Sequence, residues 1–424
     1  MNFLEDLKWR GLLAQSTDEK ALLGALSKPT TLYCGFDPTA PSLHVGNLVV
    51  LLVLRRFQLA GHLPIALVGG ATGLVGDPSG KNEERSLNSS EVVEQWVERI
   101  REQVSKFLDF EAPTNAARVV NNLDWTAQMS AIEFLRDIGK HFSVNQMLAK
   151  ESVSARLEGG GISYTEFSYQ VLQSLDFLEL FRRFDCSLQV GGSDQWGNIV
   201  AGLDLIRRVE AGSAHAMTVP LLMKADGTKF GKTAGGSVWL DPAMTSPYSF
   251  FQYWLNTEDR DVINFLKVFS FLPKEDIEAL EKSHLENPGL RTAHRALARE
   301  LTTLVHSAQD CERVEAAARA LFGQGELEEL DEPTLESALA ELPRASLINL
   351  DDIPTWVDLI VASGVVDSKS AARRIVREGG AYLNNKKITG EGFSPSSEDF
   401  LFGRFAILRK GKRELAAVEV SKKH

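Results

Sequence analysis

Between about residues 30 and 220, short β-branched runs that end in glycine turns alternate with helical patterns. No other feature constrains the fold as tightly. TTLYCGFD (30–37), PIALVGG (64–70) and SLQVGG (187–192) read as buried strands, and NLVVLLVLRRFQLAG and DQWGNIVAGLDLIRRVE have apolar residues at helical spacing. Alternation of this kind predicts an α/β fold built on a parallel sheet. In such sheets ligands sit beyond the carboxyl ends of the strands, and here all three ends carry polar, glycine-rich loops. Residues 1–246 thus read as one α/β domain and 247–325 as a helical one. An acidic, proline-interrupted linker (326–350) and a small mixed α+β module (351–424) follow.

Composition narrows the class. Apolar residues make up 44% and charged residues 24%, as in soluble globular proteins. No apolar run approaches the ~18 residues of a membrane span, and the first residues lack the basic and apolar stretches of a secretory signal. Ser16 and Glu19 have capping-box spacing, which predicts a helix start. Three scattered cysteines (Cys34, Cys186, Cys311) fit a reducing cytoplasm. No Cys/His cluster has zinc-site spacing, so no protein-bound metal is expected. The net charge is −11, yet residues 350–424 hold 13 Lys and Arg against 10 Asp and Glu, a net of +3 that leaves −14 on the rest. A basic module on an acidic body suggests a polyanionic partner.

Two motifs carry phosphate chemistry. His44-Val45-Gly46-Asn47 opens a helix, and its i, i+3 spacing puts His44 and Asn47 side by side on the first turn. Free N–H groups and the helix dipole attract phosphate there, and Gly46 leaves room for close approach. Lys229-Phe230-Gly231-Lys232-Thr233 sits in the glycine-flanked loop KADGTKFGKTAGG, a mobile clamp for a phosphate chain. Alone, the first is a plain helix entry and the second a solvated basic turn. Tyr169, Gln173 and Asp176 share a helix face opposite an apolar face of Phe167, Val171, Leu175 and Leu178. GGATGLVG lacks the spacing of a dinucleotide fingerprint.

In this order, a strand, the histidine motif, a helix and a lysine loop about 185 residues later, the sequence resembles the class I aminoacyl-tRNA synthetases, and among them the bacterial-type tyrosyl enzymes. His44–Asn47 matches the HIGH signature, with Asn as the last residue, and Lys229–Thr233 the KMSKS signature in its KFGKT form. LYCGFDPTAPSLH, ALVGGATGLVGDPSG, FLRDIGKHFSVNQML, TEFSYQVLQ and GGSDQWGN extend the likeness over about residues 3–420. The resemblance implies a Rossmann-like catalytic domain with an inserted dimerisation segment at FLRDIGKHFSVNQML, an anticodon-side helical domain and an S4-like RNA-binding tail. It implies ligation of L-tyrosine to tRNA(Tyr) with ATP and Mg²⁺, by a cytoplasmic homodimer.

By the same resemblance, Tyr169, Gln173 and Asp77 hold the substrate ammonium, Asp176 and Tyr33 the phenol hydroxyl, and Gln195 the carboxyl group. A phenol that both donates and accepts suits a carboxylate plus a hydroxyl. Cys34, Gly192 and Asp194 are assigned to the adenosine ribose, Gly46 to the nucleotide, and Thr39, His44 and Asn47 to the phosphates. Lys81, Arg85, Lys229 and Lys232 are assigned to the pyrophosphate. The tail offers Lys369, Arg373, Arg374, Arg377, Lys386, Lys387, Arg409, Lys410, Lys412 and Arg413 to RNA phosphates. A tryptophanyl-type enzyme and a non-catalytic RNA-binding paralogue are the competing readings. The Tyr33 and Asp176 pair weighs against the first, and the intact histidine and lysine motifs against the second.

Overall fold

The computed structural model describes residues 2–79, 88–158, 161–228, 230–233, 236–340, 342–412 and 414–421, with backbone alone at 151, 152, 155, 158, 232 and 233. Lys81, Arg85, Lys229 and Arg413 lie outside the described residues, as does the side chain of Lys232. The chain forms two compact units, Met1–Met244 with Thr257–Leu297, and Thr245–Asn256 with Ala298–His424.

The first unit is built on a six-stranded sheet of β1 (Gln15–Ser16), β2 (Thr31–Phe36), β3 (Leu63–Val68), β4 (Arg118–Asn121), β5 (Cys186–Gly192) and β6 (His215–Val219). The spatial order is β1-β6-β5-β2-β3-β4. All neighbours are parallel except the short edge strand β1, which runs antiparallel to β6. The chain grows outward from β2 through β3 to β4, then returns to place β5 and β6 on the other side. Such a reversal leaves a crevice beyond the carboxyl ends of β2 and β5. Strands covered on both faces read as continuous apolar runs, and five of the six β3 residues are buried.

The helix Val45–Leu59 is apolar almost all round, with Val45, Leu48, Val49, Leu51, Leu52, Val53 and Leu54 buried. It lies between β2, β3 and β5 on one side and the helix Val262–Phe269 on the other, which leaves it no wide solvent face. The helix Tyr164–Phe184 buries Val171, Leu175 and Leu178, the expected apolar face, but also Tyr169, Ser174, Asp176 and Glu179. Its polar stripe points inward, which is rare without a function or a full set of partners.

One helix start differs from expectation. Ser16 belongs to β1, opposite Met217 of β6, and the helix Glu19–Ala25 is capped by Asp18, whose carboxylate accepts from the Ala21 amide at 2.8 Å. Asp18 is adjacent to the helix, so Ser16 is free to join the sheet.

A short hairpin, β7 (Lys232–Thr233) and β8 (Gly236–Ser237), completes this unit's strands among the described residues. In the second unit, β9 (Arg344–Leu347), β10 (Ala381–Leu383), β11 (Lys386–Lys387), β12 (Phe405–Lys410) and β13 (Glu414–Val420) form a sheet ordered β11-β10-β12-β13-β9. The helices Trp356–Ala362 and Lys369–Arg377 supply Trp356, Ile360, Ala372 and Val376 to its core. The stretch 326–350 differs from the linker expected of it. It contains the helix Glu332–Leu339 and β9, and β9 pairs in parallel with β13. Arg404 reaches Glu336 and Glu419 at 2.6 Å and Glu332 at 3.3 Å. Two of the acidic residues that made this stretch look like a solvated bridge, Glu332 and Glu336, are partners of a tail arginine. No helix among the described residues is long and apolar enough to cross a membrane.

Candidate active site

The polar residues at the carboxyl ends of the strands converge. Asp37 follows β2, Thr72 lies in a short helical turn after β3, and Asn122 follows β4. Tyr169 and Asp176 project from the helix that leads into β5, and Asp194 and Gln195 follow β5. One hydrogen-bond network joins most of them. The Tyr169 hydroxyl donates to Asp37 Oδ2 at 2.6 Å, and the Thr72 hydroxyl donates to Asp37 Oδ1 at 2.6 Å. Asn122 Nδ2 donates to Thr72 Oγ1 at 3.0 Å and to Asp176 Oδ2 at 2.9 Å. Trp125 Nε1 donates to Asp176 Oδ1 at 2.9 Å. The network runs over Gly69, where a Cβ would stand 2.0 Å from Asp37 Oδ1 and 2.3 Å from Thr72 Oγ1; only glycine fits there.

Asp176 is 1% exposed. Burial raises its pKa to about 7, against the pull of the Asn122 and Trp125 hydrogen bonds. Tyr33, on β2, is also buried, and its hydroxyl has no hydrogen-bond partner. Its pKa stands well above the ordinary value, first through burial and then through the charge of Asp176. Gln189 of β5 is the ladder partner of Tyr33, and its Oε1 is likewise buried and unpaired, as is Gln173 Oε1. Unpaired buried polar atoms are costly. Three of them, on β2, β5 and the helix Tyr164–Phe184, leave polar capacity that a bound polar molecule can satisfy.

The end expected to hold the ammonium is acidic. Burial, Asp37, Asp77 and Asp176 all raise the pKa of Tyr169, in that order of first causes. Asp77 Oδ2 accepts from Gln195 Nε2 at 2.6 Å, and Asn198 Nδ2 donates to Gln195 Oε1 at 3.2 Å. Expected ammonium ligands therefore have partners of their own: Tyr169 bonds Asp37 and Asp77 bonds Gln195. Sequence reasoning missed Asp37, Thr72, Asn122, Trp125 and Gln189. The traceable signal was a lone Asp or Asn just past a strand.

At the phosphate end His44 is the N-cap of Val45–Leu59. Its Nδ1 accepts from the amides of Gly46 at 3.0 Å and Asn47 at 3.3 Å, and Asn47 Oδ1 accepts from the His44 amide at 3.1 Å. With Nδ1 occupied as an acceptor, the ring proton sits on Nε2, which can donate to an anion. The space at Gly46 is filled by this ring, since a Cβ would lie 2.8 Å from His44 Cε1. That differs from the room for a nucleotide expected of it. Thr39 and Asp194 are exposed, and Gly192 is half-buried. Cys34 is buried; burial pushes its thiol up to about 12, and the S–H lies 3.6 Å from the Gly35 carbonyl.

The lysine-bearing segment is rooted beside His44. The Val45 amide donates to Val238 O at 3.0 Å, and the Leu240 amide to Leu43 O at 2.9 Å. Gly231, at φ +81°, faces Val45, and a Cβ there would lie 2.9 Å from Val45 Cγ2. Phe230 is buried with its ring 4.9 Å from that of Phe265 and 5.3 Å from that of Phe269. Thus Phe230 is an anchor between the two lysine positions.

The tail cations, exposed apart from the half-buried Arg409 and Lys410, are not idle. Lys369 pairs with Asp358, Arg373 and Arg377 with Glu391, Arg374 with Glu378, and Lys410 with Glu414. Arg409 stacks 3.9 Å over the Tyr382 ring. Lys386 and Lys387 form the exposed edge strand β11, and Lys412 is exposed. Exposed pairs of this kind are worth ~0–1 kcal/mol, so phosphates can replace the carboxylates at little cost.

Comparison with known proteins agrees with this geometry. The family described as tRNA synthetases class I (W and Y) matches residues 26–323, and the tyrosine–tRNA ligase SYY-like C-terminal domain matches 335–418. The tyrosine–tRNA ligase of Streptomyces avermitilis is 60% identical over 423 residues, 99% of each chain. That of Acidothermus cellulolyticus is 58% identical over 424 residues, again 99% of each. Among solved structures, a C-terminally truncated mitochondrial tyrosyl-tRNA synthetase from Aspergillus nidulans is 31% identical, with a TM-score of 0.68 over 76% of this chain and 94% of its own. A tryptophanyl-tRNA synthetase from Encephalitozoon cuniculi, at 14% identity and a TM-score of 0.53, shares the fold. The chain belongs to the class I tRNA synthetases of the W and Y family, on the bacterial tyrosyl branch.

Proposed function

We propose that Tyr33 and Asp176 select the substrate in the reaction this chain catalyses, the ATP-driven ligation of L-tyrosine to the 3′-terminal adenosine of tRNA(Tyr). One observation carries the reading: a buried hydroxyl with no partner stands under the electrostatic influence of a buried carboxylate. A phenol supplies an acceptor for the Tyr33 hydroxyl and a further donor for Asp176, beside Asn122 and Trp125. Phenylalanine leaves the Tyr33 hydroxyl unpaired, and an indole cannot accept. This argues against the tryptophanyl reading.

Tyr169, Gln173 and Asp77 take the ammonium, in a region where Asp37 adds negative charge. Gln195 meets the carboxyl group. The tyrosine carboxylate attacks the α-phosphorus of ATP in line and pyrophosphate leaves, and no general base is needed. Catalysis then rests on positioning and charge neutralisation. His44 donates from Nε2, with Asn47, Thr39 and the helix N-terminus beside it. Lys229, Lys232, Lys81 and Arg85 neutralise the leaving pyrophosphate, and Mg²⁺ arrives with ATP as part of the substrate. Cys34, Gly192 and Asp194 flank the ribose. A terminal ribose hydroxyl of the tRNA then attacks the adenylate carbonyl.

The enzyme acts as a cytoplasmic homodimer. Support comes from residues 132–148, which expose Ile132, Leu135, Val144 and Leu148; clustered exposed apolar residues mark interaction surfaces. Lys369, Arg373, Arg374, Arg377, Lys386, Lys387, Arg409 and Lys410 bind tRNA phosphates. ATP–pyrophosphate exchange across all twenty amino acids, followed by tRNA charging, tests the whole. Exchange with tyrosine alone is expected. Exchange with tryptophan, or with none, would reject the assignment.

A further inference from the structure

His284 lies in the last turn of the helix Lys274–Glu286, His294 in the first turn of Thr292–Val305, and Asp259 in the turn before Val262–Phe269. All three belong to the first compact unit, and none takes part in the site described above. One donor atom from each lies within 4.8 Å of the other two. His294 is fully buried and His284 nearly so, while the Asp259 side chain is 64% exposed, so two buried imidazoles stand beside a carboxylate at the surface.

The hydrogen bonding of these rings is incomplete in a particular way. His284 Nε2 lies 3.0 Å from the Asp259 carbonyl oxygen. Facing an acceptor, Nε2 carries the proton, and Nδ1 keeps its lone pair. That Nδ1 is buried and has no hydrogen-bond partner. His294 Nε2 stands 3.2 Å from Asp259 Oδ1, yet the two make no hydrogen bond. A nitrogen and an oxygen side by side at this distance are spaced like two ligands of one ion. At metal–ligand lengths of ~2.0–2.1 Å, tetrahedral neighbours stand about 3.3 Å apart.

We propose that Asp259, His284 and His294 form a binding site for a borderline divalent cation of the zinc class. Two imidazoles and one carboxylate suit Zn²⁺ or Co²⁺ and disfavour Mg²⁺, which takes oxygen ligands. Three protein ligands leave a fourth position to water. The Asp259 carbonyl on His284 is the kind of backbone acceptor that fixes ligand rings in metal sites. Sequence spacing gave no hint, because ten positions separate the histidines and the carboxylate precedes both by more than twenty. The ion would tie two helices to the turn that also presents Asp261 to the Ala225 amide, at 3.0 Å. Binding to the folded chain alone stabilises it.

The test uses the full-length protein, stripped with a chelator and titrated with Co²⁺, then Zn²⁺. One equivalent of Co²⁺ should give the visible absorption of a tetrahedral ion. Zn²⁺ should displace it and raise Tm, and Mg²⁺ should do neither. Because His294 is fully buried, the diagnostic variants are Asp259→Asn and His284→Gln. Each should weaken Co²⁺ binding by about 100-fold or more and abolish the Tm rise, with tyrosine-dependent pyrophosphate exchange retained. Absence of saturable binding, a weak octahedral spectrum, or unchanged affinity in both variants would overturn the site.

Discussion

On its proposed role, Tyr33→Phe separates recognition from stability, because the hydroxyl that would meet the substrate is a cost to the free enzyme. The hydroxyl is buried and unpaired, and such a group costs about 1–3 kcal/mol. Its removal leaves a ring of the same shape among Ile65, Leu175 and Phe177, all in the same core cluster. The variant should therefore unfold at the same urea concentration as the wild type or a higher one. With tyrosine bound, the hydroxyl makes one neutral hydrogen bond, worth about 0.5–1.5 kcal/mol. Discrimination against phenylalanine should fall by about 2- to 13-fold as that bond is lost. The assays are urea denaturation without ligand and kcat/KM for tyrosine and phenylalanine in pyrophosphate exchange. A variant that is clearly destabilised but keeps the wild-type selectivity ratio would refute the reasoning on both counts.

Three further outcomes follow from the site and the tail. Burial holds Asp176 at about 7, above its unfolded value of ~3.9. The folded chain therefore keeps an extra proton between those values, and stability falls as pH rises across that window, then levels above it. Asp176→Asn should gain more urea resistance relative to wild type near neutral pH than near pH ~5; equal changes at both would show that the carboxylate does not titrate there. Lys229→Ala and Lys232→Ala should lower kcat for adenylate formation by orders of magnitude with small changes in tyrosine KM, and a rise in KM at constant kcat would count against a transition-state role. Deleting residues 342–424, a cut that removes β9 together with its partner β13, should leave tyrosine activation and abolish most tRNA charging. In the intact enzyme tRNA affinity should fall steeply with salt, and the slope should shrink on deletion; unimpaired charging would make the tail's basic face plain solvated surface.

What the sequence disclosed depended on how local each feature is. β3 and β5 were readable as buried runs closed by glycine, and β2 as a buried run with Gly35 near its end. β1, with two residues, and β4, with four, are too short for periodicity to register, so the reversal at β2 that creates the crevice was not visible. His44 and Asn47 were legible as neighbours on one helical turn, and the Tyr169, Gln173 and Asp176 stripe was legible at spacings of four and three. Its inward orientation was not, since helical periodicity cannot say which face meets the sheet. The charge pattern misled at 326–350, where Glu332 and Glu336 are matched by Arg404 some seventy residues later.

Asp37, Thr72, Asn122 and Trp125 escaped for a deeper reason. Each is an ordinary polar or aromatic residue in the segments just past β2, β3 and β4, and each acquires meaning through the others. Asp176 can remain a buried carboxylate because Asn122 and Trp125 donate to it, and Asn122 is held because the Ala71 amide donates to its Oδ1 at 2.7 Å. That amide lies just beyond Gly69, where the absence of a Cβ leaves room for Asp37 and Thr72. On the proposed role of Asp176, specificity for a phenol would rest on a glycine and an asparagine that never need touch it. Substituting either should disturb tyrosine recognition through the geometry of Asp176 while the lysine loop and the His44 cap, built on other strands' ends, stay intact.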